Sequence, residues 1–166
     1  MPLPQLSESR RQQISAHPAA ALNDFKSLMR KGRSTHNQQD YKSACGYFKQ
    51  ALALVKQLID LRPLQGHQSY LTLKIAATHN FSLSLSALGQ LANAEWVLKE
   101  LHQSLLKICL APAVPKNLRI TALGALDNSL FALTSNLGSQ GKVDQLYRVI
   151  SETDQVAELA ATQILH

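Results

Sequence analysis

Residues 32–52 read GRSTHNQQDYKSACGYFKQAL, and the spacing inside this stretch decides the fold class. On a helix that starts near Tyr41, steps of three, four and three place Tyr41, Ala44, Phe48 and Ala51 on one face. Ala44 is a small residue between two aromatic knobs, so a neighbouring helix can come close there. Gly32 does the same on the preceding helix, and the polar run from Thr35 to Asp40 supplies the turn. The stretch encodes one antiparallel helical hairpin.

Working outward, Leu22, Phe25, Leu28, Met29 and Gly32 form one apolar face of a helix running to about His36. Pro18 suits the first turn of that helix, where its missing N–H has no partner to lose. The second helix runs from about Asp40 to Leu61 and is stopped by Pro63 and Gly66. A third, roughly 68–88, carries Tyr70, Leu73, Ala77, Phe81 and Leu85 at helical spacing, and Gly89 marks the turn after it. A fourth, about 91–110, holds Ala94, Trp96, Leu98, Leu101 and Leu105, and Pro112 and Pro115 break the chain beyond it. A fifth runs from about 115 to Leu137. After the turn Gly138–Gly141, the sixth covers about 142–165, with Leu146, Ile150, Thr153, Ala157, Ala160 and Ile164 facing inward. No segment alternates with period two for long enough to be a strand. The chain is expected to be all-α, with about six antiparallel helices in three hairpins over 18–62, 67–111 and 115–165. These form a single domain over 18–166 behind a flexible tail at 1–17 with room for a short helical piece.

Composition agrees with this reading. The 166 residues are 45% apolar but only 5% aromatic, and Gly and Pro number 7 and 6, which is helix-former composition. No apolar run approaches the roughly 18 residues of a membrane span, and MPLPQLSESRRQQ is no signal segment, so the expected compartment is the cytoplasm. Cys45 and Cys109 are accordingly read as reduced core residues. The formal charge of +6 is unevenly spread. Residues 1–66 hold 10 Lys/Arg against 4 Asp/Glu, whereas residues 117–166 hold 3 against 5. Such asymmetry is a statement about partners rather than fold.

The hairpin of the opening stretch has echoes. Ala44, Ala94 and Leu146 fall 50 and then 52 residues apart, as do Phe48, Leu98 and Ile150, and likewise Gly32, Ser82 and Thr134. This pattern resembles the tetratricopeptide repeat (TPR), which places a small residue in its first helix, then Ala and an aromatic or Leu in its second. Gly32, Tyr41, Ala44, Phe48, Ala51, Gly89, Ala94, Leu98 and Gly141 carry the signature over about residues 20–165. The repeats are longer than the ~34 residues usual in that family, and Leu146 stands where Ala is expected, so the third hairpin should be splayed or repacked. The resemblance implies a right-handed α-α superhelix whose concave groove, lined by the first helix of each pair, binds a protein partner.

Candidate chemistry is sparse. The six histidines include no pair at i, i+4 and no HExxH, and neither cysteine has a second cysteine close by, so no metal is expected. No Gly-rich phosphate loop occurs, and the 11 carboxylates are scattered, so neither a cofactor nor catalysis is expected. Lys26, Arg30 and Arg33 step by four and three along the first helix and border its apolar stripe, with Met29 beside them and His36 one turn on. The TPR resemblance puts this edge on the concave face, together with His79, Leu83, Asn128 and Phe131. The expected ligand of such a groove is a protein or peptide of acidic character, held by an adaptor or chaperone-like scaffold. Two alternatives compete. One is nucleic-acid association through the basic first third, against which aromatic platforms are few. The other is self-association as a homodimer through the C-terminal helix, where Val156, Leu159, Ala160, Ala161, Ile164 and Leu165 leave apolar surface over.

Overall fold

The computed structural model describes residues 3, 5–61 and 67–165. Among the described residues there are seven α-helices: α1 (Glu8–Ala16), α2 (Pro18–Asn37), α3 (Tyr41–Leu61), α4 (His67–Ala87), α5 (Leu91–Leu110), α6 (Lys116–Ser139) and α7 (Val143–Leu165). The chain is all-α. The helices gather into two compact units, Met1–Gln90 and Leu91–His166, where the sequence reading drew a single domain over 18–166. In the first, α3 packs on α2 and α4; in the second, α6 packs on α5 and α7. The hairpin expected over 67–111 is therefore shared between the two units. Pro63 and Gly66, the expected stop of α3, lie outside the described residues.

The N-terminal segment holds a short helical piece. Within the tail drawn at 1–17, Ser7 caps a nine-residue helix by accepting the Arg10 N–H at 3.3 Å, which satisfies a donor that would otherwise be orphaned. Ile14, only 1% exposed, anchors that helix on the first unit, and Arg10 pairs with Asp24 of α2 at 2.6 Å.

Three inter-helix turns share one geometry. Gln39, Gly89 and Gly141 have φ of 64°, 74° and 69°. In each case the next N–H reaches back across the helix end. Asp40 bonds the Thr35 carbonyl at 2.9 Å, Gln90 the Leu85 carbonyl at 2.9 Å and Lys142 the Leu137 carbonyl at 3.0 Å. This is the Schellman closure, which needs a left-handed residue after the last helical turn. The turns recur at the 50- and 52-residue spacing of the sequence pattern. Gly32 lies against the ring of Phe48: a Cβ added there would stand 2.5 Å from Phe48 Cε1. Ala44 and Ala94 are wholly buried. In the third hairpin Leu146 is half-buried and packs on a cluster of Leu98, Leu133 and Leu137, so its extra bulk is absorbed at the edge of that core.

Candidate partner-binding groove

The α2 helix places two rows side by side. Ala21, Phe25, Met29 and Gly32 are buried. Lys26, Arg30 and Arg33 each follow the last three of these by one residue, a rotation of about 100°, and are exposed. Apolar stripe and cationic edge are thus one helical register read twice. Where this edge meets α4 an open groove of about 520 Å³ forms, lined by Phe25, Lys26, Met29, Arg30, Arg33 and Leu73 together with Asn23 and Ala76. Such a volume lies in the ordinary range of ligand clefts. No hydrogen bond or ion pair joins any of the three cations to another of the described residues. Three like charges therefore share one edge over an apolar floor without a counter-ion.

Four of the residues expected at a binding face, Lys26, Met29, Arg30 and Arg33, meet in this groove. His36 does not join them. The Ser84 hydroxyl donates its one hydrogen to the Asn80 carbonyl at 3.1 Å and so accepts from His36 Nδ1 at 2.8 Å. The His36 ring also meets Tyr41 edge-on at 5.1 Å. His79 is half-buried on α4, and its Nε2 is enclosed without a hydrogen-bond partner; burial lowers its pKa below the usual histidine value. Leu83, 61% exposed, stands on the surface of the first unit, and Phe131, 75% exposed, on that of the second with exposed Asn128. Sequence reasoning missed Asn23 and Ala76 and took Phe25 and Leu73 for seam residues alone. The period that marked Leu73 as apolar carried no sign that it would sit half-exposed beside α2.

The titratable groups of the second unit are committed to structure. Desolvation on its own would raise the buried Glu95 carboxyl, but hydrogen bonds from Lys142 at 2.5 Å, from Lys99 and from Gln140 at 2.9 Å overcome it. They hold its pKa down to about 2. Gln140 also donates to Asn136 Oδ1 at 2.8 Å, and Asn136 donates to the Leu91 carbonyl at 3.1 Å. The turn between α6 and α7 is thereby pinned to the start of α5. His102 ties three helices together. The Thr153 hydroxyl donates to the Val149 carbonyl at 2.7 Å and accepts from His102 Nε2 at 2.8 Å. In the neutral ring, Nδ1 then accepts from Ser129 at 3.0 Å. Burial lowers the pKa of this histidine too.

Neither thiol is poised to react. Cys45 and Cys109 are free, and burial pushes Cys45 up to about 11 and raises Cys109 despite the opposing charge of Arg119. That guanidinium is itself buried, donating to the Cys109 carbonyl and to Gln163, both at 2.9 Å. Trp96, the single tryptophan, is half-buried on α5. Among the described residues no three His, Cys, Asp or Glu gather as metal ligands, and no helix is long and apolar enough to cross a membrane.

A family model described as protein of unknown function (DUF2753) matches residues 23–166. The chain belongs to the DUF2753 family. The match begins inside α2, so it takes in the whole cationic edge and leaves out α1. No curated protein and no solved structure matches the chain.

Proposed function

We propose that this protein is a non-catalytic interaction module, an adaptor or chaperone-like scaffold, and that the groove between α2 and α4 holds an acidic segment of a partner protein. The observation that carries this reading is the row Lys26, Arg30 and Arg33, which has no partner among the described residues and rims an apolar floor. Charges so placed steer a complementary partner and fix its register, while the floor supplies the desolvated contact that slows departure. The three Schellman turns at repeat spacing support a TPR-like right-handed stack of hairpins, in which the first helix of each pair faces the ligand. A peptide fits the groove better than a nucleic acid, because Phe25 is 2% exposed and offers no face on which a base could stack.

The test is affinity capture from the native cell after chemical crosslinking, with the wild type and the Lys26→Ala/Arg30→Ala variant side by side. The expected result is a protein crosslinked through an acidic segment to α2 and lost from the variant. Capture of nuclease-sensitive RNA, or an identical set of proteins on both baits, would overturn the reading.

A further inference from the structure

The groove has a complement elsewhere on the same molecule. The exposed face of α7 carries Asp144, Glu152, Asp154 and Glu158 against one cation, Arg148. No hydrogen bond or ion pair joins the Asp154 or Glu158 carboxylate to another of the described residues. Beside Glu158 stands Leu159, 55% exposed. The other apolar residues of this helix that suggested uncovered surface are largely spent within their own unit: Ala160 and Ile164 are buried, and Val156 and Ala161 half-buried. Outward on the last turns of α7 stand two carboxylates and a leucine, among the exposed polar residues Gln155, Thr162 and Gln163.

Resting on the groove reading above, we infer that the groove receives the last helix of a second copy of this chain, Asp154 facing Arg30 and Glu158 facing Lys26. The spacing agrees. Lys26 and Arg30 are four residues apart on α2, as are Asp154 and Glu158 on α7, and four residues of helix rise about 6 Å. With the two helices antiparallel both pairs form together, and Leu159 comes level with Phe25 at the groove. The sign of the charges sets the pairing. Groove on groove or α7 on α7 would be a meeting of like charges, so the groove of one copy takes α7 of another. Because the matched groups lie at the surface, salt weakens the contact.

Sedimentation velocity of the full chain, over a concentration series at low and at high salt, tests this. The wild type should associate as concentration rises, and revert toward monomer in high salt. Lys26→Ala/Arg30→Ala and Asp154→Ala/Glu158→Ala should each be monomeric, with helix content unchanged by circular dichroism. Their equimolar mixture should give a one-to-one dimer and nothing larger, since one working groove and one working α7 remain between them. A wild type that is monomeric throughout, variants that associate as the wild type does, or a mixture that stays monomeric would each overturn the inference. If the wild type is monomeric yet captures a protein in a way that depends on Lys26 and Arg30, the groove reading stands and only its assignment to a second copy falls.

Discussion

Two backbone positions hold the first hairpin, and they make opposite predictions. At Gly32 a methyl group would stand 2.5 Å from a ring that is itself only 1% exposed. Gly32→Ala should therefore destabilise by about 1–3 kcal/mol through overpacking, read as a lowered denaturant midpoint. Gln39 occupies the left-handed position that Gly89 and Gly141 fill in the other two turns. A side chain there costs about 1–2 kcal/mol, and glycine returns part of the gain by loosening the unfolded chain. Gln39→Gly should stabilise by roughly 0.5–1 kcal/mol. Gly89→Ala and Gly141→Ala, where added Cβ atoms meet open space, should lose stability through backbone strain alone. Loss of stability in Gln39→Gly would show that the Gln39 side chain contributes more than its conformation costs.

At the scale of a helix, burial of polar groups decides what can be read from pattern alone. The faces of α2 and α3 were legible because their buried positions are nearly all apolar. On α4 the buried set includes Thr78, Ser82 and Ser84, whose hydroxyls bond carbonyls of their own helix at 2.9, 2.8 and 3.1 Å. On α6 it includes Arg119, Ser129 and Asn136. Such residues interrupt the apolar stripe, and on α6 the partners that make burial tolerable lie 10 to 45 residues away in sequence, as for Arg119 with Cys109 and Asn136 with Leu91. The α1 helix was legible only as a short helical piece within a tail for a related reason: one isoleucine among polar residues shows no period, although Ser7 before Glu8 was a readable cap. His102 also gives the second unit an acid sensitivity. Its folded pKa lies below the ordinary 6.5, so the unfolded chain binds a proton that the folded one resists. Stability is full above about pH 6.5 and falls below it, by at most about 1.4 kcal/mol per pH unit. His102→Leu should flatten that fall between pH 7 and 5 while lowering stability at pH 8 by about 1–3 kcal/mol, because Ser129 loses its partner. An unchanged pH slope in urea titrations would refute the assignment.

For the molecule as a whole, the two units should respond separately to damage. Glu95 is the anion on which Lys99, Lys142 and Gln140 converge. With its folded pKa depressed to about 2, the stability it contributes is present above the ordinary carboxylate range and disappears as pH falls toward that value. Glu95→Gln should cost about 1–3 kcal/mol and lower hydrogen-exchange protection across α5, α6 and α7, leaving α2 and α3 as in the wild type. Equal loss in both units would mean that they unfold as one. The cationic edge of the groove was legible from sequence because it follows from the helical register of α2. Its wall was not, because Leu73 and Ala76 reach it only through the packing of a helix some 40 residues downstream.

The placement of Trp96 has a practical consequence for optical work. Three of the four tyrosines, Tyr41, Tyr47 and Tyr70, precede residue 91, while the lone indole and Tyr147 follow it. Excited selectively at the red edge, the protein emits from its second unit alone. A melting curve followed by that emission traces the second unit, and leaves the groove between α2 and α4 dark.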